Sequence, residues 1–334
     1  MPFLNDSEKE TEPSRRAKVN QSVLSFPSFA KINWSLQILG KRPDGYHEIK
    51  TQLQTISLHD DLHFQIDEGG GLSLTCDDPD IPTDDQNLVI WAAAALRNRF
   101  EVKAGARVRL EKRIPTQAGL GGGSSNAAVT LLALTRLWDL KPSGGELLEI
   151  ATTLGADVPF FLVGGRVVAT GIGATLSPLA DGSEDVLHLI VITPNASVST
   201  AKAYSLLGSP ALTTSNIDPI LSSSHSGAKN SDSKPWPLQD SLKNDFESVI
   251  FDIEPEIRRT KETLVQAGAV GALLAGSGSS VFGIFTNRDD QQRALKEIKP
   301  ETGWRIFPCV TVSRNEYHRA VGSPDIPFLR SFNS

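Results

Sequence analysis

Four glycines within five residues, Gly119-Leu-Gly-Gly-Gly123, separate two segments of different hydrophobic period. Before them, Ala106-Arg-Val-Arg-Leu-Glu111 alternates apolar and charged residues, as a half-buried strand does. After them, Ala127, Leu131, Leu134 and Trp138 recur at helical spacing. The glycines therefore join a strand to a helix N-terminus. Residues without Cβ let the backbone take positive φ and approach a ligand closely. Ser124, Ser125 and Asn126 open the helix, with side chains suited to capping free N–H groups or to binding a ligand. Free amides and the positive end of the helix dipole make a phosphate chain the natural guest. The loop is not a Walker A loop, because no Gly-Lys-Ser/Thr follows the glycines. Nor is it a dinucleotide fingerprint, since Ser124 stands where the third glycine belongs.

The rest of the chain offers room for two domains in its 334 residues. A net charge of -6 argues against non-specific nucleic-acid binding, which uses a basic surface. Cys76 and Cys309 supply neither a disulfide framework nor a metal spacing, so a reducing cytoplasm is expected. No apolar run reaches the roughly 18 residues of a membrane span. Residues 1–25 read as a solvated tail without a secretory core, and Asp6, Glu8, Glu10 and Glu12 argue against a plastid transit peptide.

Residues 26–40 alternate as a strand, with Ala30, Ile32, Trp34, Leu36 and Ile38 on one face and Lys31, Asn33, Ser35 and Gln37 on the other. A turn at 41–47 precedes strands expected at 51–58, 62–66 and 72–76. Residues 87–100 and 146–154 read as helices, and 165–180 as strands with glycine turns. The first domain spans 26–183. A second spans 184–313, with a Ser- and Pro-rich insertion near 205–240 expected to be mobile. Residues 314–334 read as a loose tail. His59-Asp-Asp-Leu-His63 is not a metal site, because it has the strand pattern and lacks the glutamate of a zinc-protease helix.

Several positions carry both a plain and a chemical reading. Asp157, in Gly155-Ala-Asp-Val-Pro-Phe160, is a helix-capping acid or a base in a water-excluding apolar setting. Lys31 is a solvent-facing strand residue or a cation for a site. Tyr46, after Asp44-Gly45, closes its turn or stacks on a base beside His47. Asn87 is a helix N-cap or a nucleotide contact. Gly276-Ser-Gly-Ser-Ser280 packs beneath the first glycine loop or borders a ligand.

Residues 115–128, together with Ala30-Lys-Ile-Asn33, Arg42-Pro-Asp-Gly-Tyr-His-Glu48, Gly155-Ala-Asp-Val-Pro-Phe160 and Leu274-Ala-Gly-Ser-Gly-Ser-Ser-Val-Phe282, resemble the GHMP small-molecule kinases. Within that family the pattern is similar to the kinases of 4-diphosphocytidyl-2-C-methyl-D-erythritol, over about residues 26–313. Homoserine and mevalonate kinases are the rival branches, and Asp-Gly-Tyr-His after the first strand speaks against them. A sensor that binds without turnover is the rival class, and the presence of both Lys31 and Asp157 speaks against it.

The resemblance implies an α+β two-domain kinase using ATP and Mg²⁺ on a cytidine diphosphate-linked methylerythritol, as a monomer or weak homodimer. It implies Asp157 as general base and Lys31 as its cationic partner. It implies ATP phosphates wrapped by Pro115, Thr116, Gln117, Ala118, Gly119, Leu120, Gly121, Gly122, Gly123, Ser124 and Ser125, with Asn87 near adenine. Mg²⁺ then rides on the phosphates, with Ser125 as a possible ligand. Asn33, Tyr46, His47, Tyr204, Gly276 and Ser277 are implied to hold substrate. Members of the family often carry Phe where Tyr204 stands and Pro where Ala201 stands.

Overall fold

The structure, a computed structural model, describes residues 23–180, 186–208 and 242–322. The N-terminal tail, most of the 205–240 insertion and the last twelve residues lie outside them. The first sheet is built on two long antiparallel strands, β1 (Leu24–Lys41) and β2 (His47–Asp67). Beyond β2 lie β4 (Gly105–Glu111) and β3 (Leu72–Cys76). The parallel pair β3 and β4 is joined through helix α1 (Leu88–Arg99). The other half of β2 pairs with β5 (Arg166–Gly171), which pairs in turn with β6 (Thr175–Pro178). Helices α2 (Gly122–Leu137), α3 (Gly144–Leu154) and α4 (Val158–Val163) cover this sheet through a common apolar core.

The second sheet is antiparallel, in the order β11-β7-β10-β9, from β7 (His188–Thr193), β9 (Gly271–Leu274), β10 (Val281–Phe285) and β11 (Arg305–Val310). Its helices are α5 (Thr200–Leu206), α6 (Glu247–Ile253), α7 (Pro255–Gln266) and α8 (Arg288–Glu297). A two-residue strand, β8 (Lys243–Asn244), runs back to pair in parallel with β1. A third core joins the two halves. Ala30, Ile32 and Trp34 of β1 meet Leu189, Val191, Phe282 and Ile284 there. The apolar face of β1 thus fastens the two halves, and alternation turns Lys31 and Asn33 the other way.

Three expectations change. The strands at 51–58 and 62–66 are one strand, because β1 pairs with β2 straight through His59, Asp60 and Asp61. Asp60 is fully buried with hydrogen-bond donors around it, so the acidic pair does not break the ladder. Nor is the chain from Ser313 loose up to Gly322. Ser313 and Glu316 form a capping box that starts helix α9 (Arg314–Ala320). Tyr317 of that helix is completely buried in the core of the first sheet, and its hydroxyl donates to the Phe161 carbonyl. Its ring lies where a Cβ on Gly164 would be, 2.3 Å away. Burial of an apolar side chain of this size is worth about 1.5–3 kcal/mol, enough to hold a short helix in place. Residues 323–334 lie outside the described residues. Finally, α2 begins inside the glycine run, with Gly121 at its N-cap, so the serines lie within the helix.

Candidate active site

The glycine loop, β1, the N-terminus of α4 and the turn before β10 surround a cavity of about 1360 Å³. A single small ligand usually takes 300–1,000 Å³, so the space suits two ligands side by side. Of the residues implied to act on or hold nucleotide and substrate, Ser125 alone does not line it.

At the glycine-loop end, the shape is set by the backbone. Gly121 holds a left-handed φ of 73° at the N-cap of α2, and a Cβ there would come within 2.9 Å of the Phe161 ring. Gly119, at φ +75°, passes so close to Ala275 that a Cβ would sit 1.9 Å from its carbonyl oxygen. The loop is tied to β1 by Lys31 N–H donating to the Leu120 carbonyl at 2.9 Å. It is tied to the second glycine turn by Ser280 N–H donating to the Ala118 carbonyl at 3.2 Å. That second turn therefore does pack beneath the first, while Gly276 and Ser277 also face the cavity. No side chain caps α2, so of the two readings of Ser124, Ser125 and Asn126, capping is not the one realised. The uncapped first turn, with its dipole, leaves amides for an anion. The Ser125 hydroxyl accepts from Ser28 at 2.7 Å and has no exposed surface. It points toward the sheet and does not line the cavity.

Lys31 and Asp157 meet across the cavity, with Lys31 Nζ 3.6 Å from Asp157 Oδ2. Asp157 stands at the N-cap of α4 but does not cap it. Its side chain is 39 % exposed, so the expected water-excluding setting is not present while the cavity is open. Lys31 is 4 % exposed, and its ammonium donates to Asn33 Oδ1 at 2.9 Å. The same oxygen accepts from Gly276 N–H at 3.0 Å, and Asn33 Nδ2 donates to Thr51 Oγ1 at 2.8 Å. Asn33 thus aims Lys31 and pins the second glycine turn, and one amide hydrogen has no bonded partner among the described residues.

The far end is made of rings. The turn 41–47 closes with Arg42 N–H donating to the Tyr46 carbonyl at 2.7 Å and Tyr46 N–H to Asp44 Oδ1 at 3.1 Å. Tyr46 is 63 % exposed, so its ring is not the half-buried lid of that turn. His47 stacks on Tyr204 with centroids 4.6 Å apart and planes at 20°, and Tyr204 meets Phe246 edge-on at 4.9 Å. The stacked rings touch, which leaves no room for a base between them. Burial first, then the charge of Lys41, lowers the His47 pKa from its usual 6.5. Burial, and secondarily the Asp157 carboxylate, pushes the Tyr204 hydroxyl up to about 12. Near the cavity mouth, Asn87 caps α1 by accepting from Val89 N–H at 2.9 Å and ties down the Pro82 carbonyl at 2.7 Å.

Sequence reasoning missed Asp60 and Lys112. Lys112 lines the cavity and donates to both Asp60 oxygens, at 3.1 and 2.9 Å. The signal was there: Asp60 is in phase with Leu62 and Phe64 on the inward face of β2. Among the described residues no group of three or more His, Cys, Asp or Glu side chains could hold a metal ion. His59 Nδ1 bonds to the Ser57 carbonyl and His63 Nδ1 to Ser25, with a Glu111 carboxylate oxygen 3.3 Å from His63 Nε2. No described helix is long and apolar enough to cross a membrane.

The family models described as GHMP kinases N terminal domain and GHMP kinases C terminal match residues 87–165 and 237–303. The 4-diphosphocytidyl-2-C-methyl-D-erythritol kinase of Pelotomaculum thermopropionicum is 43 % identical over 277 residues, covering 83 % of this chain and 94 % of the relative. The chain belongs to that kinase family, within the GHMP kinases. A crystal structure of 4-(cytidine 5'-diphospho)-2C-methyl-D-erythritol kinase has a TM-score of 0.69 and 32 % identity, covering 86 % of this chain and 99 % of its own. A homoserine kinase from Cytophaga hutchinsonii has a TM-score of 0.61 at 20 % identity, covering 86 % and 95 % of the two chains, and shares the fold. Family membership therefore accounts for the α+β architecture and for a glycine loop set between strand and helix, and GHMP kinases use ATP as phosphate donor.

Proposed function

We propose that the chain transfers the γ-phosphoryl group of ATP to the 2-hydroxyl of 4-diphosphocytidyl-2-C-methyl-D-erythritol. The observation that carries this reading is the Lys31–Asp157 pair. It faces the glycine loop on one side, and its carboxylate is felt electrostatically at Tyr204 on the other. A hydroxyl placed there lies between a phosphate cradle and a set of rings.

Phosphoryl transfer passes through a loose transition state, so positioning and charge stabilisation do most of the catalytic work. Asp157 accepts the proton of the attacking hydroxyl, and its exposure in the open cavity lets substrate reach it. Lys31, fixed by Asn33, orients that carboxylate and offsets negative charge as it develops on the transferred group. The α2 amides hold the phosphate chain at the N-terminus of the helix dipole. A Mg²⁺ ion bound with the nucleotide would supply charge neutralisation at the phosphates. Ser124 lines the cavity and is the hydroxyl at hand for it, in place of Ser125. At the other end Tyr46 offers an open ring face to cytosine, with His47 and Tyr204 forming the wall behind.

The test is ADP formation with a panel of alcohols. 4-Diphosphocytidyl-2-C-methyl-D-erythritol should drive ADP release, with homoserine and mevalonate near the no-substrate background. ADP release driven as well by homoserine or mevalonate would move the chain to a rival branch. No substrate-dependent release at all would make it a binding protein.

A further inference from the structure

Asp60 has no exposed surface, and its carboxylate gathers donors from two places. Arg113 and Ile114 N–H each donate to Oδ1 at 2.7 Å, and Lys112 Nζ bonds both oxygens. These three residues immediately precede the loop. Asn126 Nδ2, in the opening turns of α2, donates to Oδ2 at 3.1 Å. The Lys112 ammonium also donates to the Ile114 carbonyl, so its three hydrogens have acceptors within the protein. Lys112 therefore acts as a strut that neutralises Asp60.

Between these anchors the backbone is irregular. Gln117, Gly119 and Gly121 all have positive φ, at 52°, 75° and 73°. Such a loop has no helical or strand ladder of its own: Leu120 and Ala118 tie its middle to β1 and the second glycine turn, and Asp60 ties its two ends. A buried carboxylate is costly to desolvate, and an apolar residue could fill the same place on β2. A buried ion pair at this point is better explained by the register it imposes than by stability.

We propose that Asp60 is a positioning residue for the nucleotide: it clamps the two ends of the 115–121 loop to one carboxylate, and so sets the loop's fit to a phosphate chain. The inference rests on the reading of that loop as the nucleotide site. It makes ATP affinity, and not affinity for the cytidyl substrate, depend on a residue behind the loop.

Three variants of the full chain, tested with ADP by calorimetry and with both substrates by kinetics, decide it. Asp60→Asn keeps an acceptor for the two loop amides but breaks the ion pair. It should weaken ADP binding and raise the ATP KM about tenfold or more, since small misplacements at a reacting site are costly. The cytidyl KM should stay within about twofold, because the rings are untouched. Asn126→Ala releases the helix side without stranding a charge and should act in the same direction, by about threefold. It decides the matter if Asp60→Asn does not fold.

Gly123→Asp tests the underlying reading. A Cβ there meets nothing nearer than Leu88 Cδ1 at 3.8 Å, so the variant should fold. Its carboxylate suits a helix N-terminus but repels phosphate, so ADP binding should vanish. If ADP binding vanishes in Gly123→Asp but is unchanged in folded Asp60→Asn and Asn126→Ala, the clamp is overturned and the phosphate loop stands. A lowered melting temperature in Asp60→Asn with an unchanged ADP dissociation constant overturns it equally. Normal ADP binding in Gly123→Asp overturns both readings.

Discussion

At the phosphate end of the cavity, backbone bonds and contacts too tight for a Cβ hold Gly119 and Gly276, and Lys31 is buried among them. At the base end, Tyr46 is 63 % exposed, and His47 meets Tyr204 through ring contact. The first region is built before any ligand arrives. The second is side chains on a hairpin turn, with a closed His47–Tyr204 stack that a base must lie against or part. Preorganisation lowers the ordering cost of binding, so the nucleotide end should bind with little rearrangement. The cytidyl end should bring selectivity through adjustable stacking. Each prediction below breaks one end and reads the effect on the other.

The largest effect belongs to the junction. Asp157→Asn keeps the shape at the start of α4 but removes the proton acceptor and the charge facing Lys31. Loss of a positioned base costs about 10²–10⁴ in kcat. ADP affinity should hardly change if, as proposed, the loop and not Asp157 holds the phosphates. Lys31→Met should also lower kcat strongly, and the double variant should lose less than the product of the two, as residues acting together do. Near-normal kcat in a folded Asp157→Asn enzyme would remove the base from the mechanism and leave positioning and Lys31 to carry the transfer.

A smaller effect is expected from Tyr46→Ala. Base–aromatic stacking contributes about 1–3 kcal/mol, so the cytidyl KM should rise on the order of tenfold. The exposed ring gives the fold little, so the melting temperature should stay put, and so should the ATP KM. A shift in ATP KM instead would mean that the two ends have been exchanged.

What the sequence made legible follows from how local each feature is. The glycine loop, the Lys31–Asn33 pair and the Asp157 string are short and carry their chemistry in adjacent letters. Both sheets and most helix positions follow from hydrophobic period. Asp60 was hidden because its partners lie 52 to 66 residues away. A period-2 reading marks it as inward-facing but does not name its donors. Ser125 stands beside Ser124 in sequence, yet helical rotation turns one to the cavity and the other to Ser28. The tail reading from Ser313 passed over a Ser-x-x-Glu capping box, a local signal that was available. The His47–Tyr204 stack joins residues from the two halves of the molecule, and no spacing rule foretells that contact.

The smallest effect tests whether that stack matters. His47 has its pKa lowered from the usual 6.5, first by burial and then by Lys41, so the folded ring stays neutral to lower pH than a free imidazole does. A lowered histidine pKa means that the folded state takes up its proton later than the unfolded chain does. The neutral-ring arrangement is thus at full strength above about 6.5 and is lost as pH falls through the folded value. Protonation would place a charge in a half-buried stack beside Lys41 and loosen the wall behind the base. The cytidyl KM should therefore rise as pH falls through the folded value, which lies below the usual 6.5. Tyr204, held up near 12, stays protonated throughout and cannot be the cause. The ATP KM, read at the preorganised end, should be flat over the same interval. His47→Gln cannot titrate and should flatten the cytidyl profile at a uniformly raised KM. If the acid-side rise persists in His47→Gln, the titrating group lies elsewhere, and the stack is a packing contact without a part in recognising the base.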